Sequence, residues 1–173
     1  MSDEEPPLSS YNFDFAGGDF NSYLFVTLRG VTYEVQFIPT PYLFGPGFVL
    51  ADELVELVIK VAHNPLDRRP PLDPLIAPTV AAIIGDFYRK SSLTVTIFLC
   101  DTTDRKHKAR WRKFNSWYVE FAESNYIRID DSVKDAKQEV VYYCAVMVKH
   151  GNPYLREVGL AFFDMMSDIR VGK

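Results

Sequence analysis

The sequence predicts an α+β domain, a mostly antiparallel sheet of about six or seven strands with about three helices packed mainly on one face. Three observations lead to this class. The first segments of the chain alternate apolar and polar residues with a period of two, as antiparallel strands do. Helical and strand patterns then follow each other toward the C-terminus. Finally, 47% of the 173 residues are hydrophobic, which suits a packed core. The predicted order of elements is ββββαβαββα.

The chain is expected to form one domain after a short tail. Residues 1–10 begin with an acidic, proline-containing run and hold Leu8 as their only large apolar side chain, so we expect a flexible acidic tail. Residues 11–173 have the length of one average domain and are predicted to form a single α+β unit.

The first three strands are predicted to form an antiparallel meander. Tyr11, Phe13 and Phe15 alternate with polar residues, and Ser22–Leu28 is a second strand. A tight turn at Arg29-Gly30 leads into a third, in which Val31, Tyr33, Val35 and Phe37 alternate with polar residues.

A fourth strand is predicted over Leu54–Ala62. Its apolar residues fit a helix as well as a strand, but its β-branched content and the following Asn64-Pro65 favour a strand. The preceding segment is rich in proline and glycine, and its apolar residues are expected to fold back on the body. Residues 64–74 contain four prolines and predict an extended loop.

The second half alternates helices and strands. A helix starts at Asp73-Pro74 or at Ala77-Pro78, since proline suits the first helical position. A strand over Leu93–Cys100 and a helix from about Asp104 to Ala122 are predicted next. A short strand at Ile127 and Ile129, a charged connector over Ser132–Gln138 and a strand over Val140–Val148 follow. The last element is a helix after Asn152-Pro153, with an apolar stripe that includes Phe162.

The charges are unevenly distributed. The chain carries 19 Lys and Arg against 23 Asp and Glu, a net charge of −4, which excludes a protein that is basic throughout. Residues 104–113 nevertheless hold six basic residues and one acidic residue. On a helix, Arg105, Lys108 and Arg112 lie almost in line, opposite an aromatic face. This stripe is either a solvated helix face or a contact for phosphates or an acidic partner.

The corner between the Leu93–Cys100 strand and this helix is the candidate site. Arg110 and His107 fall within the aromatic arc, and a partly buried arginine needs an anionic partner. Asp101 and Asp104 are the nearest carboxylates in sequence, so we expect Arg110 to be mostly buried and hydrogen-bonded to one of them. Such a pair would be either architectural or part of a ligand site at the carboxyl end of a strand.

The same segment resembles a family of uncharacterised small bacterial proteins known only as a domain of unknown function. The likeness covers about Tyr11 to Phe163. The shared pattern is a strand ending in Cys-Asp, a later Asp, and Arg-x-Arg-x-Phe-x-x-Trp, and Arg105 stands where the family pattern has glycine. The resemblance implies membership and no particular activity. The matching positions are Cys100, Asp101, Asp104, Arg110, Arg112, Phe114 and Trp117.

Three functions remain open from the sequence. The leading one is a non-catalytic module that binds a protein or a small acidic ligand at the Asp101–Trp117 corner, through Asp101, Asp104, His107, Arg110, Arg112 and Trp117. The first alternative is a nucleic-acid-associated protein that uses Arg105, Lys108 and Arg112. The second is a small enzyme built on Asp101, Asp104, His107 and Arg110. Binding leads because the sequence has no visible set of nucleophile, base and orienting residue.

The sequence also predicts where the protein is located and whether it binds a membrane, a metal or a cofactor. No apolar run approaches the ~18 residues that span a bilayer, and the acidic start is unlike a signal peptide. Cys100 and Cys144, both in apolar runs, are expected to be buried free thiols. We therefore expect a cytoplasmic protein without a membrane partner, a metal or a cofactor.

Overall fold

The computed structural model describes residues 9–100, 105–121, 125–135, 137 and 139–172, and these contain one seven-stranded sheet and three α-helices. A short 3-10 turn, Ala51–Glu53, precedes the fourth strand. The strands are β1 Phe13–Gly17, β2 Ser22–Val26, β3 Thr32–Pro39, β4 Leu54–His63, β5 Val95–Leu99, β6 Tyr126–Asp135 and β7 Val140–Lys149. The helices are α1 Ile76–Tyr88, α2 His107–Phe121 and α3 Leu155–Val171.

The sheet has the spatial order β1-β2-β3-β4-β5-β7-β6, and every neighbouring pair is antiparallel except β4 and β5. The parallel pair arises because the chain crosses over through α1 between these two strands, a connection that parallel strands require. The predicted class and order of elements are confirmed.

The N-terminal meander forms as its sequence predicts. At the turn between β2 and β3, the Gly30 amide donates to the Thr27 carbonyl and the Thr27 amide to the Val31 carbonyl, both at 2.9 Å. Gly30 has a φ of 78°, a left-handed conformation that glycine adopts without a steric penalty. The predicted turn at Arg29-Gly30 is therefore confirmed.

Strand β6 is longer than its sequence predicts. It runs for ten residues to Asp135 and pairs with β7 along its whole length, so the predicted charged connector over Ser132–Gln138 is wrong as far as Asp135. The charges are tolerated because β6 is an edge strand, where charged side chains reach water and discourage pairing with another chain.

The helices cover both faces of the sheet. Helices α1 and α2 share one face and pack on aromatic residues of the meander, including Tyr23, Phe25 and Phe37. Helix α3 covers the other face through Val158, Phe162 and Met166. Two of the three helices thus lie on one face, in line with the predicted arrangement, and the sheet is the middle layer between two hydrophobic cores.

Helix α1 is fixed to the sheet by one buried hydroxyl. The Tyr88 side chain is 1% exposed, and its hydroxyl donates to the Met147 carbonyl at 2.8 Å and lies 2.8 Å from the Thr96 hydroxyl. Helix α1 begins at Ile76, two residues after Pro74 and two residues before Pro78, so it begins between the two predicted starts. No helix in the described ranges is long and apolar enough to cross a membrane.

Candidate functional site

Helix α2 has one face toward the sheet and one toward solvent. Its inward residues His107, Phe114 and Trp117 are buried. Its basic residues are exposed, because an amphipathic helix on the surface leaves its charged side in water. The exposed cationic side chains, here called the basic face, are Lys108, Arg110, Arg112 and Lys113 on α2, together with Arg105 and Lys106 just before its first residue. Arg105 has a φ of 57°, which is outside the helical range, so the predicted helical stripe of Arg105, Lys108 and Arg112 does not extend to Arg105.

An aromatic layer lies beneath this helix. Trp111 stacks on Tyr143 of β7 with ring centroids 5.3 Å apart and 16° between the planes. Phe114 stacks on Phe98 of β5 at 4.3 Å and 9°. Offset stacking of this kind adds about 0.5–1.5 kcal/mol per pair beyond the burial itself. The layer therefore holds α2 on the sheet mainly through ring contacts.

Arg128 on the edge strand β6 closes this layer from below. Its guanidinium carbon lies 5.5, 5.3 and 4.7 Å from the ring centroids of Trp111, Phe114 and Tyr118. Its Nε and Nη2 donate to the two carboxylate oxygens of Asp130 at 2.7 and 2.8 Å. The side chain is 13% exposed, so this charge is held by a carboxylate and by aromatic faces at once.

Unpaired buried polar atoms are concentrated in the same region. In the described part of the chain, four buried side-chain atoms have no hydrogen-bond partner, and all four lie on α2 or on the strand beneath it. A buried donor or acceptor left unpaired costs about 1–3 kcal/mol. The atoms are His107 Nδ1, Asn115 Oδ1, Trp117 Nε1 and Arg128 Nη1.

The structure separates the predicted site residues into two groups. His107 and Trp117 are buried, at 7% and 6% exposure, whereas Arg110 and Arg112 are exposed. Asp101 and Asp104 lie outside the described residues, so the predicted pairing of Arg110 with either carboxylate lies there too. The four described candidates do not form one surface pocket, because two point into the core and two point to solvent.

The prediction that Arg110 is mostly buried is wrong. Arg110 does fall in the aromatic arc, but it is the fourth residue of α2 and lies at the end of the packed layer. A long arginine stem can follow the edge of a core while its charged head stays in water. Arg110 lies close enough to Cys100 for its charge to act on the pKa of that thiol.

Sequence reasoning missed Arg128, which is the arginine that the aromatic layer encloses. A signal for it exists in the sequence. Arg128 stands between Ile127 and Ile129, and Asp130 follows at the i+2 position, which lies on the same face of a strand.

The described residues near α2 offer little for nucleophilic or metal chemistry. Burial raises the pKa of the Cys100 thiol to about 11, despite the opposing charge of Arg110, and burial also raises the pKa of Cys144. A protonated thiol is a poor nucleophile. Among the described residues, no group of three or more His, Cys, Asp or Glu side chains could hold a metal ion. What the region does present is a cluster of exposed cations on a rigid aromatic base.

Comparison with known proteins places the chain in a family. Neither the curated proteins nor the solved structures contain a match to it. A family model does match residues 72–164, which include α1, β5, α2, β6, β7 and the first half of α3. The matched part therefore contains the whole of the aromatic layer and the basic face. The chain belongs to this family, which is described as a family of unknown function (DUF6169).

Proposed function

We propose that the chain is a non-catalytic binding module that engages an acidic protein partner through the basic face of α2. The observation that carries this proposal is the exposure of Lys108 and Arg112 on one side of a helix whose other side is buried, with Arg105 exposed just before the helix begins. The helix is held by ring stacking on the sheet, so the cations stand on a fixed support.

Charge asymmetry favours an acidic partner. Residues 104–113 carry a local charge of +5, and the rest of the chain carries −9, in keeping with the total of −4. A partner with a negative patch gains attraction from the basic face and meets repulsion elsewhere on the molecule, which fixes where it binds. The Debye length is about 8 Å at physiological ionic strength, so the attraction between the basic face and an acidic partner acts only close to the surface of α2.

The proposal is of a binding module because the described side chains supply no activated nucleophile. The Cys100 thiol is buried with a raised pKa, and the His107 ring is 7% exposed and stacks on Tyr143. A small enzyme that uses Asp101, Asp104, His107 and Arg110 remains the third candidate. We also propose a cytoplasmic location, which is supported by the two buried free thiols of Cys100 and Cys144.

A nucleic acid is the second candidate partner, and one observation favours it. Lys108 and Arg112 are exposed one helical turn apart on α2, and Arg105 is exposed just before the helix begins, so three cations are accessible to phosphates. An acidic protein is preferred because the negative charge of the remaining chain would oppose a long polyanion that runs past α2.

The experiment compares a glutamate-rich peptide with single- and double-stranded oligonucleotides as ligands of the purified protein. The variant is the triple replacement Arg105→Ser, Lys108→Ser and Arg112→Ser. The matched control removes three exposed cations from β6, the end of β7 and α3, so both variants have the same net charge. The control replacements are Lys134→Ser, Lys149→Ser and Arg156→Ser.

We expect the peptide to bind the native protein and the control variant, and to lose at least about tenfold in affinity for the α2 variant. Equal loss in both variants would mean that only net charge matters, which contradicts a defined site. Tighter binding of an oligonucleotide than of the peptide, with affinity falling at a log–log salt slope of roughly −2 to −3, would replace the protein partner by nucleic acid. No binding of either ligand at low salt would remove both candidates.

A further inference from the structure

The segment that precedes β1 is acidic, and the proposed function does not use it. Residues 3–7 read Asp-Glu-Glu-Pro-Pro, and no lysine or arginine occurs before Arg29. The structure describes the chain from Ser9 onward, so this segment lies outside the described residues. Residues 105–113, which contain the basic face, hold six lysines and arginines and no carboxylate. The segment and the basic face are therefore complementary in charge.

Tyr11 fixes the point at which this segment joins the folded body. The Tyr11 amide donates to the Thr79 hydroxyl oxygen, in the first turn of α1, at 2.8 Å. The Tyr11 hydroxyl donates to the carboxylate of Asp73, which precedes the same helix, at 2.6 Å. Both contacts place Tyr11 at the N-terminal end of α1.

This end of α1 lies where β4 ends. Ile76 and Tyr33 line the same concave surface, and Tyr33 pairs with Val61 near the end of β4. At the other end of the helix, Phe87 stacks on Phe37, which pairs with an earlier part of β4. Helix α1 therefore runs antiparallel to β4, with its first turn beside the carboxyl end of that strand.

The N-terminal end of α2 lies at the same end of the sheet. Tyr118, late in α2, donates to the Tyr126 carbonyl at 2.8 Å, and the Tyr126 ring lies 4.9 Å from that of Tyr88, the last residue of α1. Phe114, one turn earlier in α2, stacks on Phe98 near the end of β5, and β5 is parallel to β4. The two helices thus run side by side in the same direction, and the basic face begins at the end of the sheet where Tyr11 lies.

The acidic residues are close enough in sequence to Tyr11 to reach α2. Four strand spacings of about 4.8 Å separate β1 from β5, which lies beneath α2, so the lateral distance is about 19 Å. An extended chain spans at most about 3.3–3.6 Å per residue, which gives up to about 20 Å from Tyr11 to Glu5 and up to about 28 Å from Tyr11 to Asp3. Consecutive prolines favour an extended backbone, and residues 6 and 7 are both proline.

We propose that the acidic segment Asp3–Glu5 docks on the basic face of α2 and competes there with the acidic partner. The competition rests on the proposed function, whereas the docking does not. Within the described part of the chain, the side chains of Arg105, Lys108 and Arg112 make no ion pair or hydrogen bond, so carboxylates can meet them without displacing another group.

The tether makes weak contacts sufficient. Exposed ion pairs contribute little one at a time, but a segment joined to the same chain acts at an effective concentration on the order of millimolar. The segment then covers the basic face for part of the time. The apparent affinity for an outside partner falls in proportion to the fraction of molecules whose basic face is free.

One other pair of exposed cations lies near the N-terminal end of α1. Arg68 and Arg69 belong to the loop before that helix, but Asp67 and Asp73 in the same loop balance their charge. Residues 105–113 have no such balance, so the basic face is the stronger attractor for the acidic segment.

A nitroxide spin label on Ser2→Cys tests the docking in the full chain without any partner. Cys100 and Cys144 are buried, so the label attaches to the new thiol. We expect amide signals of residues 105–113 to lose intensity, and those of α3, on the opposite face of the sheet, to keep it. Intensity should return in about 0.5 M salt and in a variant with a neutral segment, because both weaken the attraction. The neutral-segment replacements are Asp3→Asn, Glu4→Gln and Glu5→Gln.

Titration with the glutamate-rich peptide measures the competition. The neutral-segment variant, without the spin label, should bind the peptide at least about threefold more tightly than the native chain, as expected if the segment covers the basic face about two-thirds of the time. In a chain that also carries the triple α2 replacement, the neutral segment should change nothing. A control of equal net charge neutralises three exposed carboxylates of α3 and should gain clearly less. Its replacements are Glu157→Gln, Asp164→Asn and Asp168→Asn.

The two measurements separate the docking from the proposed function. Intensity loss over residues 105–113 without any peptide binding keeps the docking and removes the acidic partner. Peptide binding without that intensity loss, or with an equal gain in the neutral-segment variant and the α3 control, overturns the docking and keeps the partner. Intensity loss confined to the loop of Arg68 and Arg69 overturns the docking as well.

Discussion

Replacing Phe162 by alanine tests whether α3 closes one of the two cores. The Phe162 side chain is 0% exposed and belongs to the core formed by β5, β7, β6 and α3. Its neighbour Phe163, whose ring centroid lies 5.6 Å away, is 47% exposed. The two residues differ in burial and in little else, so Phe163→Ala is a matched control.

The expected cost follows from the two terms of a large-to-small core substitution. Returning a fully buried phenylalanine to water contributes about 1.5–3 kcal/mol, and the cavity left by the ring adds to this. Together they give a loss of about 3–5 kcal/mol in the free energy of unfolding for Phe162→Ala. For Phe163→Ala the loss should stay below about 1 kcal/mol. The gain in helix propensity from alanine is the same at both positions and cancels in the comparison.

Urea denaturation followed by circular dichroism measures both values. At this chain length, each kcal/mol corresponds to roughly 2–4 °C in melting temperature, so Phe162→Ala should melt about 6–20 °C below the native protein. The slope of the free energy against urea should not change, since the surface exposed on unfolding is nearly the same. A cost under about 1 kcal/mol for Phe162→Ala, or an equal cost for Phe163→Ala, would refute the packing of α3 on this core.

Two further predictions concern titratable groups. Burial alone would raise the pKa of Glu34, but hydrogen bonds from Ser22 and Lys60 lower this pKa overall. The ionised Glu34 therefore stabilises the fold above the ordinary glutamate pKa, and this stabilisation is lost as the pH falls through the lowered pKa. The free energy of unfolding should therefore fall more steeply between pH 6 and pH 3 in the native protein than in Glu34→Gln, and parallel curves would contradict this. Since burial raises the pKa of Cys100 to about 11 and also raises that of Cys144, neither should react with a thiol reagent at pH 8 until guanidinium is added, and a fast native reaction would be evidence against their burial.

The strands of the meander and helix α3 were predictable because their patterns are local. Phe13 and Val35 lie in strands whose apolar residues alternate with polar ones, and the turn at Gly30 needs only its own glycine. Phe162 was placed correctly because it lies at the centre of a stripe with helical spacing. In each case the information lies within one turn or one strand of the residue concerned.

The enclosed arginine was not predictable in the same way. Helical geometry predicted that Arg110 is buried, because Arg110 lies on the same side of the helix as Phe114 and Trp117. The angle of a residue around the helix axis does not show how far the sheet extends beneath that residue. Arg128 occupies the space under the aromatic rings, and it comes from a strand that is a neighbour of α2 only in the folded chain. Which of two arginines meets a given ring depends on the docking of the helix on the sheet, and that is a property of the tertiary structure.

The single parallel pairing in the sheet has a consequence for the order in which the chain folds. Phe25 and Tyr33, which pair across the β2–β3 turn, are eight positions apart, whereas Leu54 and its partner Val95 in the parallel seam are 41 positions apart. Contacts between distant positions must first offset the entropy of closing a long loop, so they form slowly and late. The seam joins only three residue pairs, from Leu54–Val95 to Glu56–Ile97, and the family model begins at residue 72, within the crossover that spans it. The β2–β3 hairpin should therefore form before β5 pairs with β4, since its contacts close a much shorter loop.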